Sequence, residues 1–389
     1  MPARDAVIVE AVRTPVGKRN GSLAGIHPAT LSAGVLKALV ERTGIEPAHV
    51  DDVIWGCVMQ VGAQAFNVGR ASLLAAGWPE TVPATTIDRQ CGSSQQAVHF
   101  AAAGLLAGHY DIVVAGGVEN MSMVPMGASV KDPELGNPNP SEVLERYGVK
   151  GFNQGIGAEM MADKWGFSRN DLDEFASRSH ELLGAAIDAG RLAGQLAPVA
   201  LPDGGTLDVD EGLRRGTTPE SLSGLKTVFR ENGTIHAGNA SQISDGAAAL
   251  LMMTSQKAAE LGLTPIARYH TGVIAGDDPV MMLSAPIPAT RKVLERSGLA
   301  LRDIGVYEVN EAFAPVPMAW LAEMRELGVD EARLNPNGGA IAIGHPLGAS
   351  GARIMTQMIH HMRDQGITYG LQTMCEGGGM ANATIIELL

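Results

Sequence analysis

Two thiols, one imidazole and one side-chain amide stand in four short stretches of this 389-residue chain. They are Ile87-Asp88-Arg89-Gln90-Cys91-Gly92-Ser93-Ser94, Asn310-Glu311-Ala312-Phe313, Gly344-His345-Pro346 and Cys375-Glu376-Gly377-Gly378-Gly379. Glycines border both cysteines and the histidine, so backbone N–H groups can approach a ligand closely. A thiol can form a thioester, N–H groups can hold an oxyanion, and an imidazole or second thiol can move a proton. One stretch alone carries little weight; the four together supply a complete set of parts for that chemistry.

Each residue has a plainer alternative. A lone Cys is more often structural, but Cys91 lies between a predicted strand end (residues 85–88) and a helix start, where N–H groups and the macrodipole favour a thiolate. Cys375 ends an apolar strand before three glycines, a position suited to proton transfer; its alternative is a small core residue before a turn. His345 sits in a glycine-rich loop that can bring its ring to a ligand, as a base or a hydrogen-bond donor. Asn310 can orient a water or an oxyanion but cannot act as a base. Glu311 either lines the site or is structural, accepting backbone hydrogen bonds. Gly155-Ile156-Gly157 is not a dinucleotide loop, because a third glycine and a preceding strand are missing.

The elements that must position these residues alternate strand and helix at both ends of the chain, which predicts a layered α/β domain. Strands are expected over residues 6–10, 53–58 and 112–117, the last ending in a glycine turn. Leu31, Val35, Leu36, Leu39 and Val40 share one helical face, and a helix is expected over residues 93–106. Residues 121–242 differ: Pro- and Gly-rich punctuation, then a helix capped by Ser168 with Asp171 and carrying Leu172, Phe175, Leu182 and Ala186, then binding loops. The last third echoes the first. Residues 51–54 match 302–305, Cys91-Gly92-Ser93-Ser94 matches Gly348-Ala349-Ser350-Gly351, and residues 110–117 match 369–378, a pattern of duplication.

In order and content, the four stretches closely resemble the thiolases, from about residue 5 to the end. The resemblance implies an α/β thiolase fold: two duplicated βαβαβαββ halves in a layered αβαβα core plus an inserted loop domain. The halves would be residues 1–120 with 243–265, and 266–389; the loop domain would be 121–242. It implies Cys91 as the acylated nucleophile and His345 as its activator, with Asn310 joining His345 in one oxyanion hole through a water. Cys375 becomes the acid/base, and the N–H groups of Cys91 and Gly377 the second oxyanion hole. Coenzyme A is implied as a substrate, held by Arg214, Ser221, Leu222, Ser241 and Met282, with no other cofactor and no metal. The reaction implied is cleavage of 3-oxoacyl-CoA to acetyl-CoA and a shortened acyl-CoA in fatty-acid or steroid degradation. Asn153-Gln154 replaces the His-Met pair of short-chain biosynthetic thiolases, which sets condensation of two acetyl-CoA molecules as the alternative. Cys375 argues against condensing enzymes that use carrier-protein substrates. A non-catalytic CoA-ester carrier would tolerate loss of Cys91, His345 and Cys375, and all three are present.

Composition bounds the rest. The chain is 45% hydrophobic and 18% charged, with 48 glycines and a net charge of −13, the balance of an acidic globular α/β protein. That charge disfavours nucleic acid as a partner. No apolar run is long enough for a membrane span, and the N-terminus carries no signal or transit pattern. Three cysteines, Cys57, Cys91 and Cys375, are too few and odd in number for a disulfide framework, so a reducing cytoplasm is expected. Adjacent His360 and His361 point to different sides of a helix, which makes a metal there improbable. A homodimer or homotetramer is what the resemblance implies.

Overall fold

The computed structural model describes residues 4–389; the first three residues of the expected N-terminal half lie outside the described residues. The main strands are β1 (Val7–Arg13), β2 (Asp52–Gly56), β3 (Ala84–Ile87), β4 (Ile112–Asn120), β5 (Ser244–Met253), β6 (Ala267–Gly276), β7 (Val306–Val309), β8 (Tyr369–Glu376) and β9 (Met380–Leu388). The longer helices are α1 (Pro28–Thr43), α2 (Val68–Ala75), α3 (Ser93–Ala107), α4 (Gln154–Trp165), α5 (Arg169–Asp188), α6 (Pro286–Ser297), α7 (Pro315–Met324) and α8 (Leu347–Gln365). With the short strand Gly17–Lys18 on β5, the strands form one ten-stranded sheet in the order β7-β8-β9-β6-β1-β5-β4-β2-β3.

The duplication is written into the pairing. β2 and β4 run parallel, as do β7 and β8. β4 and β5 are antiparallel, as are β8 and β9, and so in turn are β5 with β1 and β9 with β6. The halves join through a two-residue pairing of β1 with β6, at Val7–Arg268 and Ile8–Ala267. One face of both halves packs on α3 and α8, in a core that includes Ile8, Val113, Leu250, Val306, Ala97 and Met355. α1 and α2 cover the other face of the first half, and α4 to α7 with their loops cover that of the second. This is the expected layered thiolase-type arrangement.

Local chemistry explains the boundaries. Gly108, in the left-handed region at φ 78°, ends α3 by donating its N–H to the carbonyls of Gly104 and Leu105. Ser168 and Asp171 form the expected capping box of α5. Two expectations shift. β4 does not turn at Gly116-Gly117 but runs on to Asn120, because β5 pairs with it over its whole length. On α5 Leu172 is buried as expected, but in the next turns it is Leu183 that is buried, with Leu182 half-buried beside it.

Glycines allow the two half-sites to meet. A Cβ on Gly56 would lie 2.5 Å from the Ser94 nitrogen and 2.8 Å from the Gly348 oxygen. One on Gly117 would lie 2.2 Å from the Gly348 oxygen, and one on Gly351 would lie 2.2 Å from the Gln95 nitrogen. The starts of α3 and α8 and the ends of β2 and β4 therefore touch backbone to backbone, with no room for a side chain.

The 121–242 insertion is tied to the first half by a buried ion pair. Arg13, at the end of β1, donates from Nη1 and Nη2 to Asp210 Oδ1 and Oδ2 at 2.7 and 2.9 Å, and from Nε to Gln195 at 2.7 Å. Asp210 also accepts the Val16 N–H at 2.8 Å, and both ion-pair side chains are fully buried. Asp210→Ala leaves the guanidinium buried and unpaired, and should lower unfolding stability by ~3–5 kcal/mol in a urea titration. Arg13→Met combined with Asp210→Leu should recover most of that loss.

Candidate functional site

Cys91 occupies the turn between β3 and α3, two residues before the helix begins. It is buried in a cluster with Leu347, two residues after His345, and Met374, one before Cys375. The structure places Cys91 close enough to Cys375 for the two to act on each other electrostatically, and seats His345 two residues from a packing neighbour of Cys91. The sequence expectation of a favoured thiolate is not met. Burial, then the neighbouring Glu376 carboxyl, pushes the Cys91 thiol up to about 12, against the opposing hydrogen bond from the Gln154 side chain. The nucleophile therefore rests as a thiol and needs a base.

His345 is the candidate for that base, and its partners fix which nitrogen carries the lone pair. Its backbone N–H donates to Gln242 O and Ser244 Oγ, each at 3.2 Å, which anchors the loop. The Ser350 hydroxyl donates to the Pro346 carbonyl at 2.8 Å, so its oxygen is left to accept the His345 Nδ1–H at 2.6 Å. Nε2 keeps its lone pair and accepts from Asn310 Nδ2 at 3.4 Å. Burial, helped by Arg353, lowers the ring's pKa to about 3, so it stands neutral at physiological pH. Asn310 follows β7, with its N–H held by Thr373 O at 3.1 Å and its Oδ1 buried without a protein partner. Ser350 escaped the sequence reading as an active group, although it lies within the repeat matched to Cys91-Gly92-Ser93-Ser94.

Cys375 is buried in β8, opposite Ala381 of β9. Burial and the nearby Cys91 hold its thiol well above its usual range, so it carries a proton to give. Gly377 lies beyond the strand, against the Gln90 side chain, which places its backbone beside the Cys91 turn. Glu311 resolves as structural: it is buried, accepting from Ser179 Oγ at 2.6 Å, Asn335 Nδ2 at 2.9 Å and the Ile341 N–H at 3.2 Å. Of the Asn153-Gln154 pair, Asn153 caps α4, accepting the Gly155 and Ile156 N–H groups at 2.9 and 3.1 Å, and Gln154 reaches the nucleophile. His360 donates to Ala11 O and His361 meets Asn337, on different sides of α8 as expected.

The five candidate CoA contacts separate into groups. Leu222, Met282 and Cys375 share one apolar cluster with Phe313, and Phe229 stands edge-on to Phe313 at 6.0 Å between ring centres. Ser241 is half-buried beside it, its N–H bonded to Ala312 O at 2.9 Å. Met282 holds a left-handed φ of 63°, a strained turn for a side-chain-bearing residue. Ser221 is exposed, its hydroxyl engaged with Thr218 in a capping box. Arg214 opens on a separate cavity of about 370 Å³ with His180 and Arg215. A cavity of about 610 Å³ is lined by Arg169, Lys226, Phe229 and Arg230. Among the described residues Lys226 and Arg214 have no acidic partner, whereas Arg169, Arg215 and Arg230 do. Lys226 lies in the stretch that the sequence marks for binding loops, whereas Phe229 was missed; its signal was an aromatic in that same loop.

Comparison with known proteins agrees with this geometry. The family model for the thiolase N-terminal domain matches residues 6–256, and that for the thiolase C-terminal domain matches residues 263–388. The chain is 49% identical to the steroid 3-ketoacyl-CoA thiolase FadA6 of Mycobacterium tuberculosis, over 99% of this chain and 94% of that one. It is 42% identical to an acetyl-CoA acetyltransferase of Pseudomonas aeruginosa, over 98% of each. The crystal structure of the Bacillus anthracis acetyl-CoA acetyltransferase superposes with a TM-score of 0.90 at 38% identity, covering 100% of this chain and 99% of that one.

Because the Ser350 hydroxyl sets the His345 tautomer, Ser350→Ala should slow alkylation of Cys91 by iodoacetamide at pH 7 on the order of 10–100-fold, and Ser350→Thr should restore it. An unchanged alkylation rate in Ser350→Ala would mean that another group holds the ring.

Proposed function

This chain belongs to the thiolase family of acyltransferases, and on that premise we propose that it cleaves 3-oxoacyl-CoA with coenzyme A, through an acyl-Cys91 intermediate, to acetyl-CoA and a shortened acyl-CoA. The observation that carries the reading is the closeness of Cys91 to Cys375, beside a neutral His345 whose Nε2 keeps its lone pair turned to the Asn310 amide.

The steps follow from the groups. His345 Nε2 takes the Cys91 proton as the sulfur attacks the 3-oxo carbon, and the resulting oxyanion lies at the N–H groups of Cys91 and Gly377. The C2–C3 bond breaks, and its electron pair becomes the enolate of acetyl-CoA. The protonated His345 and the Asn310 amide, through a water, stabilise the enolate oxygen, while Cys375 delivers its proton to C2. Acetyl-CoA leaves. The Cys375 thiolate then takes the proton of an incoming CoA thiol, whose sulfur displaces Cys91 from the acyl group. The protonated His345 returns its proton to Cys91. A donor well placed on an oxyanion is worth ~3–4 kcal/mol in each barrier.

Coenzyme A serves as substrate in this scheme, and no other cofactor takes part. Lys226 and Arg214, as cations without acidic partners, suit its phosphates, and the Leu222–Met282–Phe313 wall suits its pantetheine arm. Degradation is favoured over acetoacetyl-CoA synthesis by Gln154 at the nucleophile and by the steroid thiolase among the relatives. We place the protein in the cytoplasm as a homodimer or homotetramer. In support, all three cysteines are free, and the edge strand β3 and fully exposed Phe66 offer a surface to a second copy. Among the described residues no helix is long and apolar enough to cross a membrane.

Acetoacetyl-CoA, a long straight-chain 3-oxoacyl-CoA and a ring-bearing 3-oxoacyl-CoA, assayed side by side with CoA, should show preference for a bulky substrate. A preference for acetoacetyl-CoA would return the protein to the short-chain group. Cys91→Ala should lower kcat at least ~10⁴-fold on the best of them; retained thiolysis would sink the scheme.

A further inference from the structure

Glu376 stands between Cys375 and Gly377 and takes no part in the steps above. Its side chain is fully buried. Its carboxyl lies over Gly92, the residue after Cys91. Glu376 Oε1 is 1.9 Å, and Asn382 Oδ1 2.2 Å, from where a Cβ on Gly92 would stand. The two oxygens therefore lie within about 4 Å of each other, the sum of those distances. Neither Glu376 oxygen nor Asn382 Oδ1 has a side-chain partner among the described residues, and the one backbone donor that acts on the carboxyl is the Asn382 N–H. The Asn382 amide nitrogen faces Gln96 Oε1 at 3.4 Å, and turning the amide would serve one Glu376 oxygen and leave the other bare.

Facing acceptor oxygens in a buried pocket are unfavourable unless one of them carries a proton. The charged and titratable groups around the carboxyl are few. The turn before α3 contributes Asp88, Arg89 and Cys91, and β8 contributes Cys375. β9 brings only Asn382 and Met380, and α3 brings Gln96. Arg89 makes no ion pair with Glu376; its Nη1 rests on Met380 Sδ at 3.8 Å.

We propose that Glu376 is a positioning residue that works as a neutral carboxylic acid, donating its proton to Asn382 Oδ1. This bond ties β8 to β9 beneath Gly92 and keeps negative charge away from Cys91 while that sulfur ionises. Loss of the proton to solvent would place a carboxylate beside both thiols and shut thiolysis down. The inference rests on Cys91 being the nucleophile.

Burial, opposed in part by Arg89, moves the Glu376 carboxyl up to about 8. Below that pH the acid form holds; above it the carboxylate disfavours the Cys91 thiolate. Turnover should therefore fall as pH rises through about 8. Infrared difference spectra of the wild-type protein should show at pH 7 a protonated-carboxyl C=O contribution that titrates with a midpoint near 8 and is lost in Glu376→Gln, whereas the contribution of buried Glu308, whose carboxyl burial also moves up to about 8, stays in both. In Glu376→Gln, whose amide can still donate to Asn382, the alkaline limb of kcat/KM should move up by about one pH unit or more. Glu376→Leu should lose kcat in the neutral range, with Gln at the same position rescuing it. A protonated-carboxyl contribution at pH 7 that is the same in the wild type and Glu376→Gln overturns the neutral acid, and an alkaline limb unmoved in Glu376→Gln overturns its control of turnover. The spectrum needs no substrate, so failure of the proposed reaction, seen as no acyl group trapped on Cys91, is read separately.

Discussion

The site depends on a contact that only glycine permits. Gly56, Gly117, Gly348 and Gly351 let the starts of α3 and α8 press against each other and against the ends of β2 and β4. Cys91 stands at the head of one helix and His345 at the head of the other, so the helix spacing sets the reach between sulfur and ring. A methyl group at any of these positions would part the helices by a distance comparable to a hydrogen bond's tolerance. Glu119 reinforces the same junction, accepting N–H groups from Val58, Met59 and Gly348, and so stitching the first half to the second.

Burial then decides the charge states. In a polar cleft a cysteine at a helix start and a nearby histidine would tend towards a thiolate–imidazolium pair. Here the low dielectric raises both thiols and lowers the imidazole, so all three wait uncharged. Charge is created only as a substrate carbonyl arrives to receive it, beside N–H donors already oriented by the turn at Gly92 and the loop at Gly377. Ser350 makes this workable: without a fixed tautomer, a neutral ring could present the wrong nitrogen to the sulfur.

Much of this was legible in the residues. The strand–helix alternation and the repeat are local patterns, and each reappears as an element or a turn. The extent of β4 was not, because the glycine pair reads locally as a turn and is overruled by its pairing with β5. The charge state of Cys91 was hidden too: a helix start is a sequence feature, but burial by distant segments is not. Glu311 could be read either way until its donors, Ser179, Asn335 and Ile341, were placed around it. For the CoA contacts, motif matching named Arg214 and Ser221, and only the folded loop shows Lys226 and Phe229 on a different opening.

Cys91 lies two residues before α3, and His345 two residues before α8, the helix that is its structural twin. Two identical halves could offer a pair of thiols or a pair of imidazoles at these addresses, never one of each. A sulfur facing a ring nitrogen across the two helix heads is thus an arrangement that only two unlike copies within a single chain can present.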